Sequence, residues 1–168
     1  MTSPEPTTDQ TAATRDTAGV IAPPPLIYLA MLILGVALDW WVVRSGGLDM
    51  PVSLRWTFAA LLFLAGGALL VLAGVRFRSA GTPAPPWQPT TALVVAGVYR
   101  YTRNPMYLGM ALLYLSLAVA ADSPVAIGLL IPLMMVIRFG VVGREERYME
   151  GKFGEPYLAY KARVPRWI

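Results

Sequence analysis

Four apolar segments separated by polar stretches dominate the chain from residue 23 onward. A transmembrane helix needs about 20 predominantly apolar residues to cross the hydrocarbon core of a bilayer. The first, second and fourth segments are about that long, and the third is shorter. The pattern predicts an all-α, polytopic membrane protein with four transmembrane helices. The predicted spans are residues 23–43, 54–75, 106–121 and 124–142.

Prolines and glycines indicate how these spans begin and meet. The Asp-Ser-Pro turn at 122–124 predicts a tight connection, because serine caps a helix and proline fits its first position. Spans three and four should therefore form a helical hairpin, and Pro132 should kink the fourth. Gly66 and Gly67, in the middle of span two, either permit close contact with another helix or are ordinary membrane glycines.

The two ends of span one carry different signals. Residues 1–22 are rich in Thr, Pro and Ala and lack the basic and apolar regions of a secretory signal. They are predicted to be a disordered tail, which leaves 23–168 as one membrane domain. At the other end, Asp39 lies beside Trp40 and Trp41. This favours an interface at which the acid reaches water, and the alternative is a buried functional aspartate.

The connection 76–105 carries the most unusual chemistry of the chain. Four prolines exclude a regular helix through its middle, and the segment GVYRYTRNPMY leads from it into span three. Loops this long are usually functional or disordered, and the aromatic and apolar content argues against disorder. We expect this loop to form the lid and wall of a cofactor pocket.

The polar segment 143–168 is predicted to lie outside the membrane. Its first part, REERYMEGKF, should continue span four into water until Gly154 ends it. A short helix through Arg163 should follow. The residues that share its apolar face, which is typical of an interfacial helix, are Phe153, Tyr157, Tyr160 and Val164.

Basic residues predict the orientation in the membrane. The loop 76–103 carries four Lys and Arg residues and the tail from Arg144 carries six, whereas the opposite turns carry only Arg44 and Arg55. Both termini and the loop are therefore expected in the cytoplasm. The polar clusters 99–107 and 144–147 then lie at the two ends of the hairpin. They either share a pocket or form two separate charge girdles.

Composition narrows the function. The chain is 56% hydrophobic and 14% charged, against about 25% charged in soluble domains. It has no cysteine and no histidine, which excludes disulfides, thiolate nucleophiles, histidine bases and Cys/His zinc sites. A net charge of +4 in a membrane protein fits cytoplasmic loops and anionic lipid, so we expect neither a nucleic-acid partner nor a metal.

Blocks in the second half of the chain resemble a known family. The segments TALVVAGVYRYTRNPMYLG and REERYMEGKFGEPYLAYKARVP are similar to the carboxyl-terminal half of the isoprenylcysteine carboxyl methyltransferases, and equally to the related phospholipid N-methyltransferases. The shared pattern is L-V-x-x-G-x-Y, then R-H/N-P-x-Y-x-G, a helical hairpin, Glu-Glu, and F-G-x-x-Y-x-x-Y-x-x-x-V-P. It covers roughly residues 91–165.

The resemblance implies an integral-membrane methyltransferase that uses S-adenosylmethionine. Its location would be the cytoplasmic membrane of a prokaryote or the endoplasmic reticulum of a eukaryote. The cofactor would be enclosed by the loop and the hairpin ends, since the chain has no Rossmann pattern. The implied cofactor-binding residues are Thr91, Ala92, Leu93, Val94, Tyr99, Asn104, Pro105, Met106, Tyr107 and Glu145.

Individual roles follow from the same resemblance. Glu145 would hold the ammonium group of the cofactor, and the ring of Tyr99 would face its adenine or sulfonium. Three residues are implied for catalysis. Arg103 would bind the cofactor carboxylate or a lipid phosphate, and Asn104 would donate to the ligand. Glu146 would be structural or would take a proton from an amine acceptor.

The chain departs from the family pattern at two positions. Asn104 stands where the carboxyl methyltransferases commonly have histidine, and Val141 stands where the family has an arginine facing the prenylcysteine. The implied acceptor is therefore any lipid-like or prenylated molecule that enters from the bilayer, methylated on a carboxylate or an amine.

Two other functions remain open. One is a small four-span transporter or assembly protein that oligomerises through Gly66 and Gly67. It would need an ionisable group deep inside a span, and the candidates, Asp39 and Arg138, both lie near span ends. The other is a family member that binds the cofactor without turnover, motivated by Val141.

Overall fold

A computed structural model describes residues 16–168, which form four long helices and a short fifth. The helices are α1 (Pro24–Val43), α2 (Val52–Ser79), α3 (Pro105–Ala120), α4 (Pro124–Phe153) and α5 (Glu155–Arg163). A short 3-10 turn, Gly97–Arg100, lies in the long connection between α2 and α3. No strand occurs in residues 16–168, so the predicted all-α class is confirmed.

Three of these helices, α1, α2 and α4, are long and apolar enough to cross a membrane. Helix α3 is apolar but has only 16 residues. Helix α2 extends beyond the predicted span 54–75 at both ends, and α4 continues without a loop from the apolar segment into the polar one. The fourth span stays a prediction.

Helices α2 and α3 pack closely through glycine. A Cβ atom on Gly66 would lie 2.8 Å from the carbonyl oxygen of Gly109, and a Cβ on Gly109 would lie 3.0 Å from that of Gly66. A Cβ on Gly67 would meet nothing within 4 Å. Small residues let helix backbones approach, so Gly66 makes the close contact and Gly67 does not. Nearby, the Ser116 hydroxyl donates to the Ala59 carbonyl at 2.7 Å.

Helix α4 is irregular along its apolar part. The α-helix is interrupted at Leu129 and widens to a π-helix at Ile137–Val142. Pro132 cannot donate to the carbonyl one turn before it, which accounts for a break at this level. Val141 is fully buried in the π-helical segment and belongs to the main hydrophobic core.

We call the end of the bundle with the turns 44–51 and 121–123 the turn end, and the opposite end the loop end. At the turn end Asp39 is buried, with 3% of its surface exposed. It accepts hydrogen bonds from the Ser123 hydroxyl at 2.6 Å and the Ser45 amide at 3.2 Å. The expectation that Asp39 reaches water was wrong, because these donors hold it inside. Trp40 and Trp41 are exposed, as at an interface.

The segment before α1 contacts the protein. The Asp16 carboxylate accepts from Lys152 at 2.7 Å, and the Gly19 carbonyl accepts from Arg144 at 2.7 Å. Residues 16–22 of the predicted tail, 1–22, thus lie against the helices, and the rest of it lies outside the described residues. The disordered tail stays a prediction.

Candidate cofactor site

A cleft of about 840 Å³, counted with its open mouth, lies at the loop end. It is formed by the loop between α2 and α3, the first turn of α3, the polar part of α4, and α5. Ligand pockets of proteins commonly combine apolar walls with a few polar groups. The loop and the two ends of the hairpin thus meet around one space.

Tyr107 and Glu145 join the two ends of the hairpin. Tyr107 lies in the first turn of α3. Pro105 is the first residue of this helix, a position that proline favours. Its phenol donates a hydrogen bond to the Glu145 carboxylate on α4. The Tyr28 hydroxyl on α1 donates to the Tyr107 carbonyl at 2.9 Å, so three helices fix this contact.

Glu145 differs from its neighbour Glu146 in its charged surroundings. No Lys or Arg of residues 16–168 lies within ion-pair distance of Glu145. A carboxylate in a cleft with only a phenol as donor is left with unused acceptor capacity. Glu145 is therefore the group of the cleft best placed to receive a cation.

Glu146 is in the opposite situation. It is buried, and the Arg166 guanidinium donates to both of its carboxylate oxygens, at 2.9 and 2.6 Å. Arg103 adds an ion pair at 3.1 Å. Such bidentate pairs are the stronger class of charge-assisted bond, and the Glu146 carboxylate raises the pKa of Arg166. These contacts favour the structural interpretation of Glu146 over that of a proton acceptor.

Arg103 lines the cleft with an unused donor. Its side chain is only 9% exposed, and its Nε has no hydrogen-bond partner in the part of the chain that the structure describes. Buried donors are rarely left unpaired, and each such group calls for an explanation. The Arg103 amide donates to the Pro165 carbonyl at 3.0 Å, which fixes the backbone of the loop here. An anionic ligand group in the cleft would satisfy the free Nε.

The carboxyl-terminal residues do not line the cleft but contact two residues that do, Asn104 and Glu146. The Arg166 carbonyl accepts from the Asn104 side-chain amide at 2.9 Å and from the Thr102 hydroxyl at 3.1 Å. Trp167 packs against the main core. Arg166 thus touches both the loop, through its backbone, and α4, through its side chain.

Aromatic rings form the remaining wall. Tyr99 is 5% exposed, and its ring lies edge-on to Phe77 with centroids 5.6 Å apart. The Tyr160 hydroxyl donates to the Tyr99 carbonyl at 2.8 Å. Burial raises the pKa of Tyr99 and Tyr160, and raises that of Tyr157 to about 12, so these phenols are neutral. They offer ring faces rather than charge.

A sequence model of the phospholipid methyltransferase family matches residues 54–156. The chain belongs to the phospholipid methyltransferase family. An uncharacterized protein of Haemophilus influenzae is 36% identical over 64 residues, which are 38% of this chain and all of that protein. No solved structure matches the chain.

Membership of the phospholipid methyltransferase family identifies the protein, in general terms, as a membrane methyltransferase. The matched region contains most of α2, the loop, α3 and α4. It ends before Arg166.

Nearly all of the predicted site residues line the cleft. Thr91 does not, because it is exposed and its amide donates to the Thr82 hydroxyl at 2.8 Å. The predicted residues in the lining are Ala92, Leu93, Val94, Tyr99, Arg103, Asn104, Pro105, Met106, Tyr107, Glu145 and Glu146. Their roles stay predictions.

Several lining residues were missed from the sequence. Tyr157 and Tyr160 were assigned to a membrane-facing surface, but both are 4% exposed and pack with Val164 against the protein. The same helical spacing that suggested an interfacial face marks a core face instead. Others, among them Phe77, Tyr148 and Met149, come from α2 and α4, where no motif singled them out. Within residues 16–168 no cluster of three potential metal ligands occurs.

Proposed function

We propose that the protein transfers a methyl group from S-adenosylmethionine to a lipid-like acceptor in the membrane. The observation that carries the proposal is the cleft in which Tyr107 and Glu145 meet, with the buried Nε of Arg103 unpaired. The family supplies methyl transfer in general. The cofactor and the acceptor class are our inference from the cleft.

The donor groups of the cleft fit the amino-acid end of this cofactor. That end carries an ammonium and a carboxylate, and the cleft offers a carboxylate without a cation, Glu145, and a guanidinium with a free donor, Arg103. Of the two roles weighed for Arg103, its burial favours the cofactor carboxylate over a lipid phosphate. The ring faces of Tyr99 and Phe77 would suit the adenine or the positively charged sulfonium.

The bound cofactor would supply an electrophilic methyl group. The protein would position the acceptor and limit the access of water. Transfer needs the acceptor in line with the methyl group, and such positioning contributes much of the rate of a two-substrate reaction. With the cofactor bound, the neutral phenols and the apolar loop residues around the cleft would limit the access of water, which would strengthen the contacts of Glu145. A carboxylate acceptor needs no base from the protein.

An amine acceptor would have to lose a proton first. Glu146 is engaged by two guanidinium groups, which favour its charged form and make it a poor proton acceptor. The transporter alternative has less support, since Asp39 is fully engaged at the turn end. Val141, which motivated the inactive alternative, is fully buried and packs in the core.

Titration of S-adenosylmethionine into the detergent-purified full chain tests the cofactor. We expect saturable binding, and its absence would favour the transporter. Incubation of membranes with methyl-labelled cofactor, followed by lipid extraction and mild alkali, tests the acceptor. Label released by alkali indicates a methyl ester, and stable label on head groups indicates an N-methyl group. No transfer despite saturable binding would favour the inactive alternative.

A further inference from the structure

A second groove lies on the other side of the 3-10 turn from the cleft. It is lined by Leu72 and Arg76 from the last turns of α2 and by Gly97, Val98, Arg100 and Tyr101. Tyr99, between these turn residues, faces the cleft instead. Two guanidinium groups therefore border one groove, separated from the cleft by the packed rings of Phe77 and Tyr99.

The positive charge of this groove is not neutralised by the protein. Within residues 16–168 neither Arg76 nor Arg100 lies within ion-pair distance of a carboxylate, although Arg55, Arg103 and Arg166 all do. Uncompensated guanidinium groups that share a groove attract an anion, and guanidinium geometry suits phosphate.

Gly97 allows the Arg76 side chain to approach the 3-10 turn. Gly97 has φ +64°, which other residues rarely adopt, and a Cβ atom there would lie 2.3 Å from the Nε of Arg76. With glycine at this position the Arg76 side chain can lie against the turn. The backbone at Gly97 therefore leaves room for Arg76 beside the turn that carries Arg100.

The surroundings of the groove indicate where the anion comes from. Leu72 is 53% exposed and lies one turn before Arg76 on α2, a helix apolar enough to cross a membrane. Tyr101 is 77% exposed on the other side. The groove thus combines an apolar wall on α2 with two cations near the carboxyl-terminal end of that helix. The ends of a helix that crosses a membrane lie among the polar head groups of the lipids.

We propose that this groove binds the phosphate of a membrane phospholipid through Arg76 and Arg100, with Leu72 against an acyl chain. The bound lipid bridges α2 and the 3-10 turn. Because that turn also carries Tyr99, the lipid stabilises the wall of the cleft. Lipid binding does not depend on methyl transfer, whereas an effect on cofactor affinity rests on the proposed function.

Native mass spectrometry of the full chain with added dimyristoyl phosphatidylglycerol tests the site. We expect the wild type to retain one lipid and the Arg76→Gln/Arg100→Gln variant to bind it about tenfold more weakly. The charge-matched control is Arg44→Gln/Arg78→Gln, which removes two exposed arginines outside the groove and should bind like the wild type. If the double variant does not fold, Arg100→Gln alone replaces it, since Arg100 is exposed.

Two further probes identify the ligand. Dimyristoyl glycerol lacks the phosphate, and equal retention of it would show that apolar contact alone holds the lipid. Inorganic phosphate that displaces the lipid at equal concentration would show a site for the free ion. Either result, or unchanged lipid retention by the groove variant, overturns the proposal. Cofactor binding by the wild type is measured separately, so its absence would refute the proposed function and leave the lipid result standing.

Discussion

The phenol of Tyr107 donates a hydrogen bond to the carboxylate of Glu145, although the two residues lie 38 positions apart. The helical hairpin of α3 and α4 makes this contact possible, because it brings its first and last turns to the same end. Had these residues been far apart, no single small molecule could have touched both. The contact therefore supports the proposed cofactor site more directly than any other feature of the cleft.

We expect Glu145→Gln and Tyr107→Ala each to weaken S-adenosylmethionine binding at least about tenfold, or roughly 1.4 kcal/mol. The first change removes the charge that would hold the ammonium, and the second removes a packed ring beside it. Isothermal titration calorimetry measures both affinities. Glu155→Gln and Leu158→Ala, at exposed positions outside the cleft, are the controls. Wild-type affinity in both cleft variants would show that the site lies elsewhere.

Replacing Arg166 should loosen the cleft without removing a ligand contact. Among residues 16–168, Arg166→Ala leaves Glu146 with Arg103 as its one ion-pair partner, which should cost about 1 kcal/mol because Arg166 is partly open to solvent. The measurement is the thermal midpoint in detergent, together with cofactor affinity. Arg166→Lys should restore part of the loss, since it keeps the charge but not the bidentate geometry.

The control for Arg166 is Arg163→Ala, because Arg163 is exposed and its Nε donates only to a carbonyl of its own helix. Equal thermal midpoints for the two alanine variants would contradict a positioning role for Arg166.

Two neighbouring glycines should respond oppositely to the same substitution. Gly66→Ala places a Cβ against the backbone of α3 and should destabilise the protein by about 1–3 kcal/mol. Gly67→Ala meets nothing and should be neutral or stabilising by roughly 0.5–1 kcal/mol, since alanine favours helix. Thermal unfolding in the same detergent compares them directly. Similar midpoints for the pair would exclude the close helix contact at Gly66.

Asp39→Asn should lower the thermal midpoint, because a charged acceptor of the Ser123 and Ser45 donors becomes a neutral one. Asp49→Asn, at an exposed position with φ +52° that asparagine tolerates well, should leave it unchanged. Cofactor affinity should be the same in both variants, since the turn end is remote from the cleft. Loss of cofactor binding in Asp39→Asn would instead revive a functional role for this residue.

Sequence reasoning located the part of the cleft whose residues are clustered in two short segments, 92–107 and 145–146, joined by a recognisable hairpin. It could not locate Arg166, whose role depends on a tail residue reaching Glu146 across the fold. It also assigned Tyr157 and Tyr160 to the membrane. An apolar helical face shows the same spacing whether lipid or protein covers it, so only the packed structure distinguishes the two.

The same limit applies to Asp39. An acid beside two tryptophans has the pattern of an interface, and the tryptophans are indeed exposed. Nothing in the local sequence indicates that Ser123, 84 positions away, would draw the carboxylate inward. Pairing between distant turns is a property of the assembled bundle.

The turn end has a mechanical consequence for the whole bundle. Asp39 ties the end of α1 to the hairpin turn, and Asp122 there binds Arg55 of α2 and the Leu48 amide. These contacts hold the four long helices together at the turn end. A motion that opens the bundle to a lipid from the bilayer and a cofactor from water would therefore separate the helices at the loop end.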